Sequence, residues 1–174
     1  MKNIVLIRHA KSSWKNPDWH DKERPLKKRG LNDAKNMALH FAEIGLKPDI
    51  IISSPACRAF NTAQIFTQTL HSEDFPINTD DLLYFEGVNA AMQTIKMQKD
   101  EVGDTLFVFG HNPDMAGVIS TLSGEFIGHF ATCGVAKIEF DVFSWREIMP
   151  NTGKLVLQLY PKMMPWHTEP EQTH

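Results

Sequence analysis

Histidine and arginine residues stand at the ends of apolar runs in this sequence, or within four residues of such an end. Two of each do so: Arg8, His9, Arg58 and His111. Arginine guanidinium groups match the oxygens of a phosphate, and a neutral imidazole is a nucleophile near neutral pH. Positioned cations also stabilise the charge that develops on a transferring phosphoryl group. The combination therefore indicates phosphoryl chemistry, with one imidazole attacking phosphorus and the other donating to a phosphoryl oxygen.

The apolar runs themselves predict buried strands. Residues 4–7, 49–54 and 105–109 are short, rich in β-branched or aromatic side chains, and followed by polar residues. In an open α/β sheet, ligands bind beyond the carboxyl ends of the strands. If the three strands are parallel, the two histidines and two arginines converge on one crevice.

Helical spacing separates these strands. The predicted helices cover residues 31–44, 55–70, 89–99 and 115–122, and Gly45 closes the first. A further strand is expected near Ile77, and two later ones at 134–140 and 154–160, the last antiparallel or at an edge. The pattern predicts an α/β fold, a single domain of three layers (α/β/α) with a mostly parallel central sheet.

Two long segments lack this periodicity. Residues 10–30 form a connection that is long enough to suggest a functional loop. Residues 161–174 contain three prolines and read as a C-terminal tail that is partly disordered. The predicted domain therefore covers residues 1–160.

Composition excludes several classes of protein. A chain of 174 residues with 42% hydrophobic and 22% charged residues is neither disordered nor fibrous. Its net charge of −3 gives no overall field for nucleic acid. No apolar run approaches the length of a membrane span or a signal peptide, and two cysteines make no disulfide framework. We expect a cytoplasmic protein without nucleic-acid or membrane partners; the oligomeric state stays open.

Eight histidines raise the alternative of a metal-dependent hydrolase. The spacings typical of metal sites, such as His-x-x-x-His, His-Glu-x-x-His or Cys-x-x-Cys, do not occur in the sequence. We therefore expect no metal and no cofactor, and an activity that survives EDTA.

Three motifs, in order, resemble those of a known family. Arg8-His9-Ala10 resembles the Arg-His-Gly signature of the histidine phosphatase superfamily. Residues 54–63 are similar to its motif Ser-Pro-x-x-Arg-x-x-x-Thr-Ala, and Gly110-His111 to its third motif. Residues 21–30 are similar to the SixA-like phosphohistidine phosphatases, a branch of small proteins. The resemblance implies a phosphoglycerate mutase-like fold.

The resemblance also implies roles for the site residues. It makes His9 the nucleophile that forms a transient phosphohistidine, and Arg8, Arg58 and His111 the clamp on the phosphoryl oxygens. Further substrate contacts are implied more weakly at three positions: Ser12, Arg24 and Asn112. For Arg24 an exposed basic face is the competing interpretation, since Lys22, Lys27, Lys28 and Arg29 are close in sequence.

The sequence departs from the family at the general acid. Relatives that act on phosphate esters carry a Glu in a Leu-x-Glu segment, where this chain has Leu82-Leu83-Tyr84, with Glu86 two residues later. An alkoxide leaving group needs a proton, whereas a phosphoramidate nitrogen is protonated more readily. The leading hypothesis is therefore a phosphatase for a phosphorylated protein, with phosphohistidine as substrate and Glu86 as a candidate acid.

Two alternatives remain open. One is a phosphomonoesterase of the same superfamily that acts on a small phosphate compound. The other, from a different class, is a non-catalytic phosphate-binding module, which would have no need of a nucleophile at His9.

Overall fold

The first apolar run forms a strand at the centre of a six-stranded sheet. The structure, a computed structural model, describes residues 1–71 and 74–167. In the described part of the chain, the strands are β1 (Lys2–Arg8), β2 (Ile50–Ser53), β3 (Asn78–Thr79), β4 (Thr105–Gly110), β5 (Val135–Phe140) and β6 (Lys154–Leu159). Their spatial order is β3-β2-β4-β1-β5-β6.

Most of these strands run in the same direction. β1 pairs with β4, and β2 pairs with both β3 and β4, all in parallel. β5 is antiparallel to both of its neighbours, β1 and β6, and β6 lies at the edge of the sheet. The predicted mostly parallel sheet with a late edge strand is confirmed.

Helices cover both faces of the sheet. They are α1 (Lys28–Glu43), α2 (Cys57–Leu70), α3 (Val88–Lys96) and α4 (Asp114–Ser123). Successive residues of a strand point to opposite faces. Accordingly, Val5 and Ile7 join the core under α1 and α2, while Ile4 and Leu6 join the core under α3 and α4. The three-layer α/β/α architecture follows from this alternation, and the predicted fold class is confirmed.

The start of α1 differs from the sequence prediction. The helix begins at Lys28, three residues before the predicted Leu31, so Gly30 is helical rather than part of the loop. Gly30 is buried against the loop, because a Cβ built on it would lie 2.1 Å from the backbone oxygen of Lys11. We therefore attribute the position of the N-terminal end of α1 to packing against the loop. This is a tertiary contact, which the spacing of apolar residues does not reveal. At the other end Gly45 has a φ of 72°, as predicted for a residue that closes a helix.

The chain continues past β6 onto the same core. Pro161 and Met164 are buried, and Met164 joins the core under α1 and α2. The rest of the tail that we predict to be partly disordered, residues 168–174, lies outside the described residues. Within the described ranges, none of the helices combines the length and apolar character that crossing a membrane demands.

The close approach at Gly30 gives a prediction about stability. Gly30→Ala forces a methyl group onto backbone atoms, so it should lower the free energy of unfolding by about 1–3 kcal/mol and displace residues 10–13. Gly128→Ala is the matched control, since the nearest atom is a side-chain carbon of Phe126 at 3.5 Å. Gly128→Ala should change the free energy of unfolding by no more than about 0.5 kcal/mol. Urea denaturation measures both; equal stabilities would refute the packing argument.

Candidate active site

The carboxyl ends of the parallel strands open into one pocket of about 490 Å³. In the parallel register Arg8 lies beside Gly110, so the next residues along each strand, His9 and His111, become neighbours. Their ring centroids are 5.2 Å apart. Seven of the eight predicted site residues line the pocket: Arg8, His9, Ser12, Arg24, Arg58, His111 and Asn112.

His9 is held in one tautomer by the backbone. Its Nδ1 lies 2.7 Å from the carbonyl oxygen of Ala10. A carbonyl only accepts hydrogen bonds, so Nδ1 carries the ring proton and Nε2 keeps its lone pair. The Ala10 peptide is fixed in turn by Thr62, whose Oγ1 accepts from the Ala10 N–H at 3.1 Å and donates to the Arg58 carbonyl at 2.7 Å. Helix α2 thus orients the imidazole.

Both imidazoles are neutral at neutral pH. Burial lowers the pKa of His9 to about 4, against the raising effect of its bond to Ala10, and the charges of Arg58 and Arg8 add to the decrease. Burial also lowers the pKa of His111 to about 3, and His9 and Arg58 contribute. A neutral His9 with a free Nε2 is a competent nucleophile.

One ring nitrogen of His111 has no hydrogen-bond partner among the described residues. Its Nε2 lies 2.8 Å from Ser54 Oγ, which also accepts from the Ala56 N–H at 3.2 Å. In the tautomer in which the Ser54 hydroxyl donates to Nε2, the ring proton lies on Nδ1. That Nδ1 is buried and has no hydrogen-bond partner among the described residues.

Arg8 has a similar unpaired donor. Its Nη1 donates to the Phe130 carbonyl at 3.1 Å, and its Nε is buried without a partner in the described part of the chain. Buried donors are nearly always paired, so two exceptions on neighbouring residues call for an explanation. An oxyanion in the pocket would accept from both Arg8 and His111.

Asp21 joins the two other arginines, and sequence reasoning assigned it no role. Its Oδ2 lies 2.9 Å from Arg58 Nη2 and its Oδ1 lies 3.0 Å from Arg24 Nη1. The Tyr84 hydroxyl also donates to Oδ2. Burial raises the pKa of Asp21, but the hydrogen bonds from Tyr84, Arg58 and Arg24 outweigh it and hold the pKa well below its usual range. Only the position of Asp21 in the SixA-like segment gave any signal.

Ser12 and Arg24 form one wall of the pocket. Arg24 is buried, donates to Ser12 Oγ at 2.5 Å, and its guanidinium carbon lies 3.2 Å from the centroid of the Trp14 ring. Asn112 lies beside Arg8, because its Nδ2 donates at 2.7 Å to the same Phe130 carbonyl. Arg24 is therefore an organised wall residue rather than part of an exposed basic face.

Glu86 is the predicted residue that the structure does not bring to the pocket. It is exposed and absent from the lining, while Phe85 takes the place beside His111, with ring centroids 4.5 Å apart. Phe85 has a φ of 56°, a conformation that side-chain-bearing residues rarely adopt. The turn that contains Phe85 is held in place two residues later, where the Gly87 N–H donates to Asp114 Oδ2 at 3.1 Å.

Residues 1–71 and 74–167 contain no group of three or more His, Cys, Asp or Glu side chains placed to hold a metal ion. The neutral imidazole of His9 lies among arginines and beside the unpaired ring nitrogen of His111, which suits transfer of an anionic group to His9.

Comparisons with known proteins agree with this geometry. A family model described as histidine phosphatase superfamily (branch 1) matches residues 4–84. An uncharacterised chloroplastic protein of Arabidopsis thaliana is 30% identical over 159 residues, covering 87% of this chain and 72% of that protein.

Two solved structures share the fold. One, described as a phosphohistidine phosphatase SixA of Agrobacterium tumefaciens, is 27% identical with a TM-score of 0.76, over 92% of this chain and 98% of that one. The other, a protein histidine phosphatase SixA complexed with tungstate, is 20% identical with a TM-score of 0.78, over 92% and 97%.

The lowered pKa values give a prediction about pH. Imidazole ¹⁵N shifts should show His9 titrating near pH 4 and His111 near pH 3, against about 6.5 for histidines of the urea-unfolded chain. Because the unfolded chain binds these protons first, their contribution to stability is complete above pH 6.5 and is lost as the pH falls through 4 and 3. Midpoints near 6.5 in the folded protein would contradict the geometry.

Proposed function

Because this chain belongs to the histidine phosphatase superfamily and is a SixA-like phosphatase, we propose that it removes the phosphoryl group from protein phosphohistidine through a covalent intermediate on His9. The observation that carries the proposal is the state of His9. Its ring is neutral, its proton is fixed on Nδ1 by Ala10, and its Nε2 is free inside a pocket lined by arginines.

In the first step Nε2 of His9 attacks phosphorus, and the bond from phosphorus to the substrate's imidazole nitrogen breaks. The electron pair of that bond stays on the leaving imidazole, whose other nitrogen has taken a proton from water, so it departs neutral. The His9 ring gains positive charge as the new bond forms. Its Nδ1–H bond to the Ala10 carbonyl strengthens in the transition state and so favours the step.

In the second step a water molecule attacks phosphorus on His9. The bond from Nε2 to phosphorus breaks, its electron pair returns to the ring, and both water protons leave with inorganic phosphate. We assign Arg8, Arg58 and His111 to the phosphoryl oxygens in both steps, since their charges and donors face the charge that develops there. The unpaired Arg8 Nε and His111 Nδ1 support that assignment.

The carboxylates of the pocket support a phosphoramidate over an ester. Among the described residues, Asp21 is the one carboxylate in the lining, and three donors keep it ionised, so it is a poor proton donor. Glu86 lies outside the lining. Without a general acid an alkoxide leaves slowly, by a factor of about 10²–10⁴, while a protonated imidazole leaves readily.

The remaining assignments follow from the contacts. Ser12 and Arg24 are proposed to contact substrate from the pocket wall, and Asn112 to hold the Phe130 carbonyl that orients Arg8. We propose that neither metal nor cofactor takes part. The cytoplasm is the proposed compartment, which the two free thiols, Cys57 and Cys133, support.

Substrate comparison tests the proposal. We expect kcat/KM for a phosphohistidine peptide to exceed that for an alkyl phosphate by about 10²-fold or more, because only the ester needs a general acid. p-Nitrophenyl phosphate, whose leaving group needs no proton, should fall between them. Glu86→Gln should leave all three rates unchanged.

Two results would redirect the assignment. A preference for the alkyl ester that Glu86→Gln removes would make the protein a phosphomonoesterase with Glu86 as its acid. Phosphate binding without turnover of any of the three compounds would favour a binding module.

A further inference from the structure

The pocket rim holds two lysines opposite each other. An isolated antiparallel bridge pairs Ser12 with Leu26, which places Lys11 directly across from Lys27. The Lys27 N–H donates to the Lys11 carbonyl at 3.0 Å, which fixes this register. Opposite residues of an antiparallel pair extend on the same face, and both lysines line the pocket.

This pairing is unfavourable in the protein alone. Like charges directly opposite each other destabilise an antiparallel pair. No carboxylate of residues 1–71 or 74–167 forms an ion pair with Lys11 or Lys27. Burial lowers the pKa of Lys11, the charges of Arg29 and Lys27 lower it further, and the charge of Asp33 acts in the opposite direction without reversing the shift. The close packing of Gly30 on the Lys11 backbone keeps the loop from moving away.

The charge of the pocket exceeds what one phosphoryl group neutralises. Five cationic side chains line it (Arg8, Lys11, Arg24, Lys27 and Arg58), against the single described carboxylate in the lining, that of Asp21. A phosphoryl group carries about two negative charges, so positive charge remains on the lysine side. The volume of about 490 Å³ also matches sites that take whole ligands, roughly 300–1,000 Å³, rather than one phosphoryl group.

We propose that Lys11 and Lys27 form a second anionic subsite, which binds a carboxylate of the substrate protein close to its phosphohistidine. The phosphoryl group lies on the floor at His9, and the carboxylate neutralises the two lysines at the rim. The substrate part of this inference rests on the proposed function. The subsite itself requires only an acid group held near a phosphoryl group.

Calorimetry with small probes tests the subsite without relying on catalysis. The probes are phosphonoacetate, 3-phosphonopropionate and 4-phosphonobutyrate, each against the alkylphosphonate of matching chain length. We expect at least one phosphonocarboxylate to bind about tenfold more tightly than its partner, as two screened ion pairs allow. Lys11→Met/Lys27→Met should abolish this advantage while leaving the alkylphosphonate bound.

Lys28→Met/Lys35→Met is the matched control, because it also removes two positive charges, and both lysines are exposed and outside the pocket lining. It should retain the full advantage, and the difference between the two double variants separates a local subsite from the general electrostatic field of the protein. The proposal is overturned if no phosphonocarboxylate binds better than its partner, or if the double lysine variant keeps the advantage.

Peptides then separate the two claims. Wild-type kcat/KM should be about tenfold higher for a phosphohistidine peptide with Asp or Glu beside the phosphorylated residue than for its Asn/Gln analogue. Equal rates on both peptides, with no advantage in the probes, would refute the subsite and leave the phosphohistidine assignment standing. An advantage in the probes, with no hydrolysis of either peptide, would support the subsite and refute the phosphohistidine assignment.

Discussion

The hydrogen bond from His9 Nδ1 to the Ala10 carbonyl is the contact on which the rest of the site depends. It fixes the tautomer and leaves Nε2 as the unprotonated nitrogen. In the proposed reaction the Ala10 carbonyl stabilises the positive charge that the ring acquires. Arginines that stabilise phosphoryl charge would repel a protonated histidine, and the same charges, with burial, keep His9 neutral. A cationic pocket and a neutral nucleophile are therefore compatible requirements.

The fold supplies this contact through two elements. The parallel pairing of β1 with β4 places His9 beside His111 at the end of the sheet. Helix α2 contributes Arg58 to the pocket, and one turn later Thr62, which holds the Ala10 peptide. The spacing of four residues between Arg58 and Thr62 is thus one turn of helix. It connects a residue that we propose binds the phosphoryl group to the residue that holds the backbone beside His9. Asp21 then reduces the repulsion between Arg58 and Arg24 by accepting from both.

The sequence alone predicted the pocket residues at the strand ends, but not the contacts that Asp21, Tyr84 and Phe85 make. Strand ends are local features, so apolar runs ending at Arg8-His9 and at Gly110-His111 predict a shared crevice. Asp21 accepts a hydrogen bond from the Tyr84 hydroxyl, 63 positions away in sequence, and no periodicity links residues that meet only by tertiary packing. Phe85 stands beside His111 because a turn fixed by Asp114 imposes a left-handed backbone. The resemblance to the family's Leu-x-Glu segment suggested Glu86 instead, because that resemblance rests on the order of residues and not on the conformation of this turn.

Rapid quench of the reaction with a ³²P-phosphohistidine peptide, in EDTA, tests the covalent route most directly. The account predicts a transient label on His9, labile in acid and stable in alkali, that forms and decays fast enough to carry turnover. His9→Ala should show neither label nor turnover while circular dichroism reports the native fold. Phosphate release without labelled protein, wild-type rates in His9→Ala, or loss of activity in EDTA would contradict it.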